Sequence, residues 1–233
     1  MLKKHMKFKI KDLIKFYKGK KILITGHTGF KGSWLCMVLK FFGSKVYGYS
    51  LKDNNFRNLK TFGIQENIKN FYGDVSNIQH FEKIVKKIKP EIIFHLAAQS
   101  LVKKSYTESH KTFLSNSIGV LNILEIKKKN NFIKSLVIIT SDKCYKNKES
   151  NNGYSELSEI GGDDPYSGSK AVAENIFHTY TTSFKKKFSN TCSARAGNVI
   201  GGGDWSQDRI IPDVVKSIFK EKDILIRNPS AVR

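Results

Sequence analysis

Tyr166 and Lys170 stand four residues apart in the stretch PYSGSKAVAE, and an acid and an amine, Asp142 and Lys143, stand side by side in TSDKCY. On a helix, the four-residue spacing projects the phenol and the ammonium from one face. A free phenol titrates near ~10, too high for a base at neutral pH, and a neighbouring ammonium lowers that value by stabilising the phenolate. The pair therefore makes a proton acceptor suited to alcohol oxidation, although YxxxK by itself is a common spacing without meaning. Asp142 and Lys143 admit two readings. They are either proton-transfer groups or an exposed ion pair at a strand end, contributing at most about 1 kcal/mol. Consecutive residues point to opposite faces of a regular strand. Both can face one substrate only where the strand has given way to a loop.

Such residues need elements to hold them. Six runs read as strands: KILIT (21–25), KVYGY (45–49), NFYGDV (70–75), EIIFHLAA (91–98), SLVIIT (135–140) and TCSARA (191–196). Between them lie stretches of helical period, FKGSWLCMVLKFFG, IQHFEKIVKKIK, HKTFLSNSIGVLNILEIKKK and PYSGSKAVAENIFHTYTTSF. Gly43 ends the first, and Pro90 follows the second. The alternation predicts an α/β fold, a doubly wound parallel sheet with crossover helices on both faces. Residues 19–197 should form this domain, behind a basic lead-in helix in residues 1–18. From 198 to 233 the chain turns loop-rich, with one short helix and one short strand. That tail reads as the beginning of a smaller C-terminal lobe that stops before it could bury a core, so the chain looks truncated.

The formal net charge is +21, from 41 Lys and Arg against 20 Asp and Glu, a field able to attract nucleic acid, acidic membranes or phosphorylated metabolites. The lysines are scattered, and no cluster interleaves aromatic residues with Arg, which argues against a dedicated nucleic-acid surface. A non-catalytic RNA-binding protein on the same fold is the competing class. Lysines interrupt every apolar run of the N-terminus, so it has the form of neither a signal peptide nor a membrane span. Cys36, Cys144 and Cys192 are odd in number and lack metal-binding spacing, which suits a reduced cytoplasmic compartment and no metal centre.

The first strand runs into TGHTGFKGSWL, where Gly26, Gly29 and Gly32 form GxxGxxG at the opening of a helix. Glycines there permit a tight turn, let a pyrophosphate approach the backbone and allow close helix–strand packing. This predicts a dinucleotide site. At the end of the second strand, Ser50 stands where an acid usually binds the ribose hydroxyls, with Asp53 three residues on. No Arg replaces the acid to hold a 2′-phosphate, so NAD is favoured over NADP. Asp74 in YGDVSN either accepts from an adenine amino group or caps the following helix.

The order of these features is the glycine triplet, HLAAQS after the fourth strand, TSDK after the fifth and then YxxxK. In this the chain resembles the extended short-chain dehydrogenase/reductase family, whose members modify nucleotide-linked sugars. GHTGFKGSWL, TSDKCY and RAGNVIGGGDWSQDRIIPD are most similar to its nucleotide-sugar dehydratases. The resemblance implies that Gly26, Thr28, Gly29, Phe30 and Gly32 line the cofactor pyrophosphate. Asp74 and Val75 lie near its adenine in that scheme, and Leu96, Ala97 and Ala98 lie along it. It further implies Ser141 as the hydroxyl partner of Tyr166, Lys170 as a ligand of the nicotinamide ribose, and Gln99, Asn198 and Arg209 as substrate-binding residues. Asp142 then becomes the acid for a departing C6 hydroxyl and Lys143 the base at C5. Epimerases of the same scaffold need neither. The resemblance also implies a homodimer or higher homo-oligomer, with helices such as 106–129 and 165–184 able to pair into a four-helix dimer contact.

Overall fold

The computed structural model describes residues 9–52, 57–149, 153–206, 208–226 and 229. In its first half the chain forms α1 (Ile10–Tyr17), β1 (Lys21–Thr25), α2 (Phe30–Phe41), β2 (Lys45–Ser50), α3 (Arg57–Thr61), β3 (Lys69–Tyr72), α4 (Ile78–Ile88) and β4 (Ile92–His95). The second half adds α5 (Val102–Thr107), α6 (Ser109–Phe113), α7 (Gly119–Lys129), β5 (Ser135–Ile139), α8 (Pro165–Ser183), α9 (Lys185–Phe188), β6 (Thr191–Ala194) and α10 (Ile210–Phe219). The strands make one six-stranded sheet in the order β3-β2-β1-β4-β5-β6, and every pairing is parallel. Chain order reverses between β1 and β4. The carboxyl ends of those two strands open a crevice at that switch point, the usual ligand position in open sheets of this kind.

Alternation along β1 explains why both faces are covered. Leu23 joins one apolar cluster with Phe81, Val85, Ile93, Ile123, Leu136 and Ile138, while Ile22 and Ile24 join another with Cys36, Leu39, Val46 and Leu59. The lead-in helix belongs to this packing. Leu13, Ile14 and Tyr17 of α1 lie on the second cluster, and the Tyr17 ring stacks on Phe42 with centroids 5.9 Å apart.

The six predicted strands form, and the differences lie at their ends. The fourth was expected to run to Ala98 but stops at His95: the Leu96 amide still reaches Thr25 O at 3.2 Å while sharing Thr25 Oγ1 at 3.0 Å, and the Ala97 amide turns to that hydroxyl, also at 3.0 Å, so the ladder goes no further. A helix expected to be continuous from 106 to 129 is interrupted. Glu108 leaves helical geometry at φ −125° and ψ 45°, and Leu114–Ile118 form a π turn. Beyond Asn198, α10 is the expected short helix, but no strand follows among the described residues. Ile224, Leu225 and Ile226 are exposed there, and a strand requires a hydrogen-bonded neighbour.

Candidate active site

The glycine turn closes directly over the crevice. Gly26 has φ +69°, and its amide donates to Tyr49 O at 2.8 Å; a Cβ on it would stand 2.9 Å from Ala97 N. A Cβ on Gly32 would lie 2.2 Å from Gly26 O. Gly29, at the N-cap of α2, provides no side-chain cap, so the first amides of that helix are left to face an anion. These features fit a pyrophosphate held against backbone.

Thr25 and His95 lie beneath the turn and are wholly buried. Since Thr25 Oγ1 already accepts two amides, its hydroxyl proton is directed to His95 Nδ1, 3.0 Å away. The proton of His95 then sits on Nε2, which has no hydrogen-bond partner among the described residues. Burial, aided by the charge of Lys170, pushes the His95 pKa down to about 3. Unfolded imidazole binds a proton near ~6.5 and the folded one does not, so this contribution is complete above that pH and is lost as pH falls toward 3. We expect His95 to cost at most about 1.4 kcal/mol of stability per pH unit in that window. Urea melts between neutrality and mild acid should show a shallower decline for His95→Asn. An equal decline in both proteins would remove His95 as its cause.

β5 ends at Ile139, and Asp142–Cys144 form a single 3₁₀ turn, so the strand has given way before the acid and the amine. The Ser141 hydroxyl organises this turn, donating to Asp142 Oδ1 at 3.1 Å and accepting from the Lys143 amide at 3.2 Å. Opposite, Asp164 caps α8 by accepting from the amides of Tyr166 and Ser167, both at 2.9 Å, and Pro165 occupies its first turn. Tyr166 and Lys170 are both buried, and Lys170 Nζ reaches Ile139 O at 3.5 Å. Burial first, and then the charge of Lys31, lower the Lys170 pKa to about 8, while Glu174 acts against them.

One cleft of about 2030 Å³ runs along these elements, larger than the ~300–1,000 Å³ of a typical single-ligand pocket. Gly26, Thr28, Gly29, Phe30, Gly32, Asp74, Val75, Leu96, Ala97, Ala98, Ser141, Lys143, Tyr166, Lys170, Asn198 and Arg209 all line it. Two expected residues do not. Asp142 stands behind Gly197, with Oδ2 3.6 Å from where a Cβ on that glycine would be. Gln99 is held in a clamp. Its amide nitrogen donates to Leu101 O and Thr112 Oγ1, both at 3.0 Å, and its amide oxygen accepts from Leu101 N at 2.5 Å. The π turn positions Asn116 to bond both the backbone of Gln99 and Ser169 of α8. Asp74 does not cap α4, since Asn77 does; its Oδ1 accepts from the amide and hydroxyl of Ser76, both at 2.8 Å. Ser50 lines the cleft, while Asp53 lies outside the described residues.

Lys31, not anticipated from the sequence, also stands in the cleft. Its pKa is lowered by enclosure within the cleft walls and then by Arg209, with Asp142 opposing. Its signal was a lysine inside the glycine turn, where the glycines drew the reading. With Lys170 and Arg209 it makes a cationic lining suited to phosphate groups.

The switch-point turn and the cleft beneath it define a doubly wound domain of the Rossmann type. More specifically, the chain belongs to the GDP-mannose 4,6 dehydratase family, whose model matches residues 23–233. It is 41% identical over 225 residues to the CDP-glucose 4,6-dehydratase of Salmonella typhimurium, covering 94% of this chain and 63% of that protein. It is 32% identical over 220 residues to the dTDP-D-glucose 4,6-dehydratase of Dictyostelium discoideum, covering 88% and 50%. Among solved structures, an epimerase from Methanothermobacter thermautotrophicus superposes with a TM-score of 0.79 at 25% identity, covering 94% of this chain and 64% of that one. The chain thus spans less than two thirds of the length of each of these proteins.

Proposed function

We propose that the protein is an NAD-dependent nucleotide-sugar 4,6-dehydratase that converts CDP-glucose to CDP-4-keto-6-deoxyglucose and water. The observation that carries this reading is the 3₁₀ turn after β5, which presents Ser141 and Lys143 to the same cleft as Tyr166 and Lys170. NAD, when bound, would accept hydride from C4 of the sugar and return it to C6. Gly26, Thr28, Gly29, Phe30 and Gly32 would hold its pyrophosphate, and the hydroxyl of Ser50 would face the adenosine ribose.

The remaining steps are proton transfers. Tyr166 takes the proton of the C4 hydroxyl, supported by Ser141 and by the Lys170 ammonium. The new ketone acidifies the C5 hydrogen, which Lys143, as the neutral amine, removes and later returns to C5 as hydride is delivered to C6. Asp142, protonated and turned into the cleft past Gly197, would donate to the C6 hydroxyl as it leaves as water. Asn198 and Arg209 grip the substrate diphosphate, a task that suits a guanidinium able to bind two oxygens. The cytidine assignment draws on the likeness to the Salmonella enzyme.

The test is to incubate the native protein with CDP-glucose, dTDP-glucose and GDP-mannose, each with NAD or NADP, and to read the alkali-induced absorbance of a 4-keto sugar. Product from CDP-glucose with NAD is the expected result. An epimerised sugar, or no 4-keto product from any donor, would overturn the reading.

A further inference from the structure

Glu174 lies one helical turn beyond Lys170 on α8 and is only 1% exposed, yet none of the proton steps above uses it. A buried carboxylate is costly unless it is paired and its lone pairs are filled. Here both conditions hold. Arg195 Nη2 lies 2.8 Å from Oε2, Ser193 Oγ donates to the same oxygen at 3.1 Å, and the Thr140 hydroxyl donates to Oε1. The other terminal nitrogen of Arg195, Nη1, donates to the Tyr145 hydroxyl at 3.0 Å and to Glu156 O at 3.2 Å. Its guanidinium also lies 5.0 Å from the centre of the Tyr145 ring, which stacks on Tyr154 with centroids 5.2 Å apart.

One ion pair thus grips Thr140 through its acid and Tyr145 through its base. Between these two anchors lie Ser141, Asp142, Lys143 and the buried Cys144. We propose that Glu174 and Arg195 are positioning residues that clamp both ends of Thr140–Tyr145 and thereby set where the intervening groups meet the substrate; this rests on the dehydratase reading above. A second effect follows from the same placement. Lys170 is faced by Lys31 from the glycine turn, His95 from β4, Cys144 from the 3₁₀ turn, and Tyr166 and Glu174 on its own helix. Of these, Glu174 is the anion that holds the Lys170 proton against burial and Lys31.

The test compares Glu174→Gln, Arg195→Lys and Tyr145→Phe in the native full-length protein. Glu174→Gln keeps the shape and loses the charge. It should lower kcat about 100-fold, the cost of a small misplacement of reacting groups, with KM for CDP-glucose and the Kd of NAD within about twofold. Its alkaline limb of activity should move to lower pH. Arg195→Lys retains charge but cannot hold Glu174 and Tyr145 together, so it should not rescue kcat. Tyr145→Phe removes one hydroxyl from the clamp, and should lower kcat about fivefold with an unchanged melting temperature.

Amide hydrogen exchange supplies a readout that needs no turnover. Residues 140–145 should exchange faster in Arg195→Lys and Tyr145→Phe, and residues 26–33 should not change. If the parent protein makes no 4-keto sugar, the dehydratase reading fails, and the exchange data alone decide on the clamp. Folded variants with parental kcat, or with parental exchange over 140–145, would overturn it. If Glu174→Gln does not fold, the other two variants decide.

Discussion

Replacing Lys143 by Met is expected to lower turnover of CDP-glucose by at least about 10³-fold, within the range that a single general base supplies. Met matches the length of the lysine stem and carries no proton acceptor able to reach C5. The substitution should not disturb the turn, because Ser141 Oγ bonds the backbone amide of Lys143 rather than its side chain. The glycine turn and the residues from 96 to 98 remain untouched, so the Kd of NAD should stay within about twofold of the parent. Exchange of the C5 hydrogen with solvent deuterium should stop as well, which separates loss of the base from a general loss of binding. Turnover like that of the parent would remove Lys143 from the chemistry and leave it as a cation of the cleft wall.

Gly32→Ala should be nearly as damaging by a different route. The added Cβ would lie 2.2 Å from Gly26 O, 2.8 Å from His27 Cα and 2.9 Å from Gly26 C, all of them backbone atoms. The turn has little room to yield. Gly26 is tied to Tyr49 O on one side and abuts the backbone of Ala97 on the other. Overpacking of this kind costs about 1–3 kcal/mol or more, which urea melts would show. The shift should also spoil the pyrophosphate cradle, weakening NAD binding about 100-fold by titration calorimetry. Gly153→Ala is the control, since a Cβ there meets nothing within 4 Å, and it should stay within about 0.5 kcal/mol of the parent. Normal NAD affinity in Gly32→Ala would mean that the cofactor does not lie against this turn.

Most of the architecture was legible in the chain because its period changes are strong. Runs such as KILIT and SLVIIT have no other reading between helical stretches, and the observed strands begin at or within one residue of the predicted ones. The end of the fourth strand was hidden because its cause is remote. A hydroxyl seventy-two residues upstream captures the amide of Ala97, and the ladder ends there. Gln99 shows a second limit, a residue whose type is visible in sequence and whose bonding is not. Its residue type suits a substrate ligand, but a carbonyl, a hydroxyl and an amide from its surroundings have already used its donors and acceptors. Glu174 was readable in principle, four residues after Lys170 on one helical face, but its partner Arg195 comes from β6 and the loop after it, which only the folded sheet brings near. Spacing within a segment is visible in sequence. Pairing across the sheet is not.

The Thr25 hydroxyl ties the tip of β1 to the chain leaving β4 through three bonds at 3.0 Å each. A side chain so engaged cannot change rotamer without stranding buried groups. Beneath the crevice, the spacing of β1 from the chain leaving β4 is therefore pinned by one oxygen atom as well as by packed side chains.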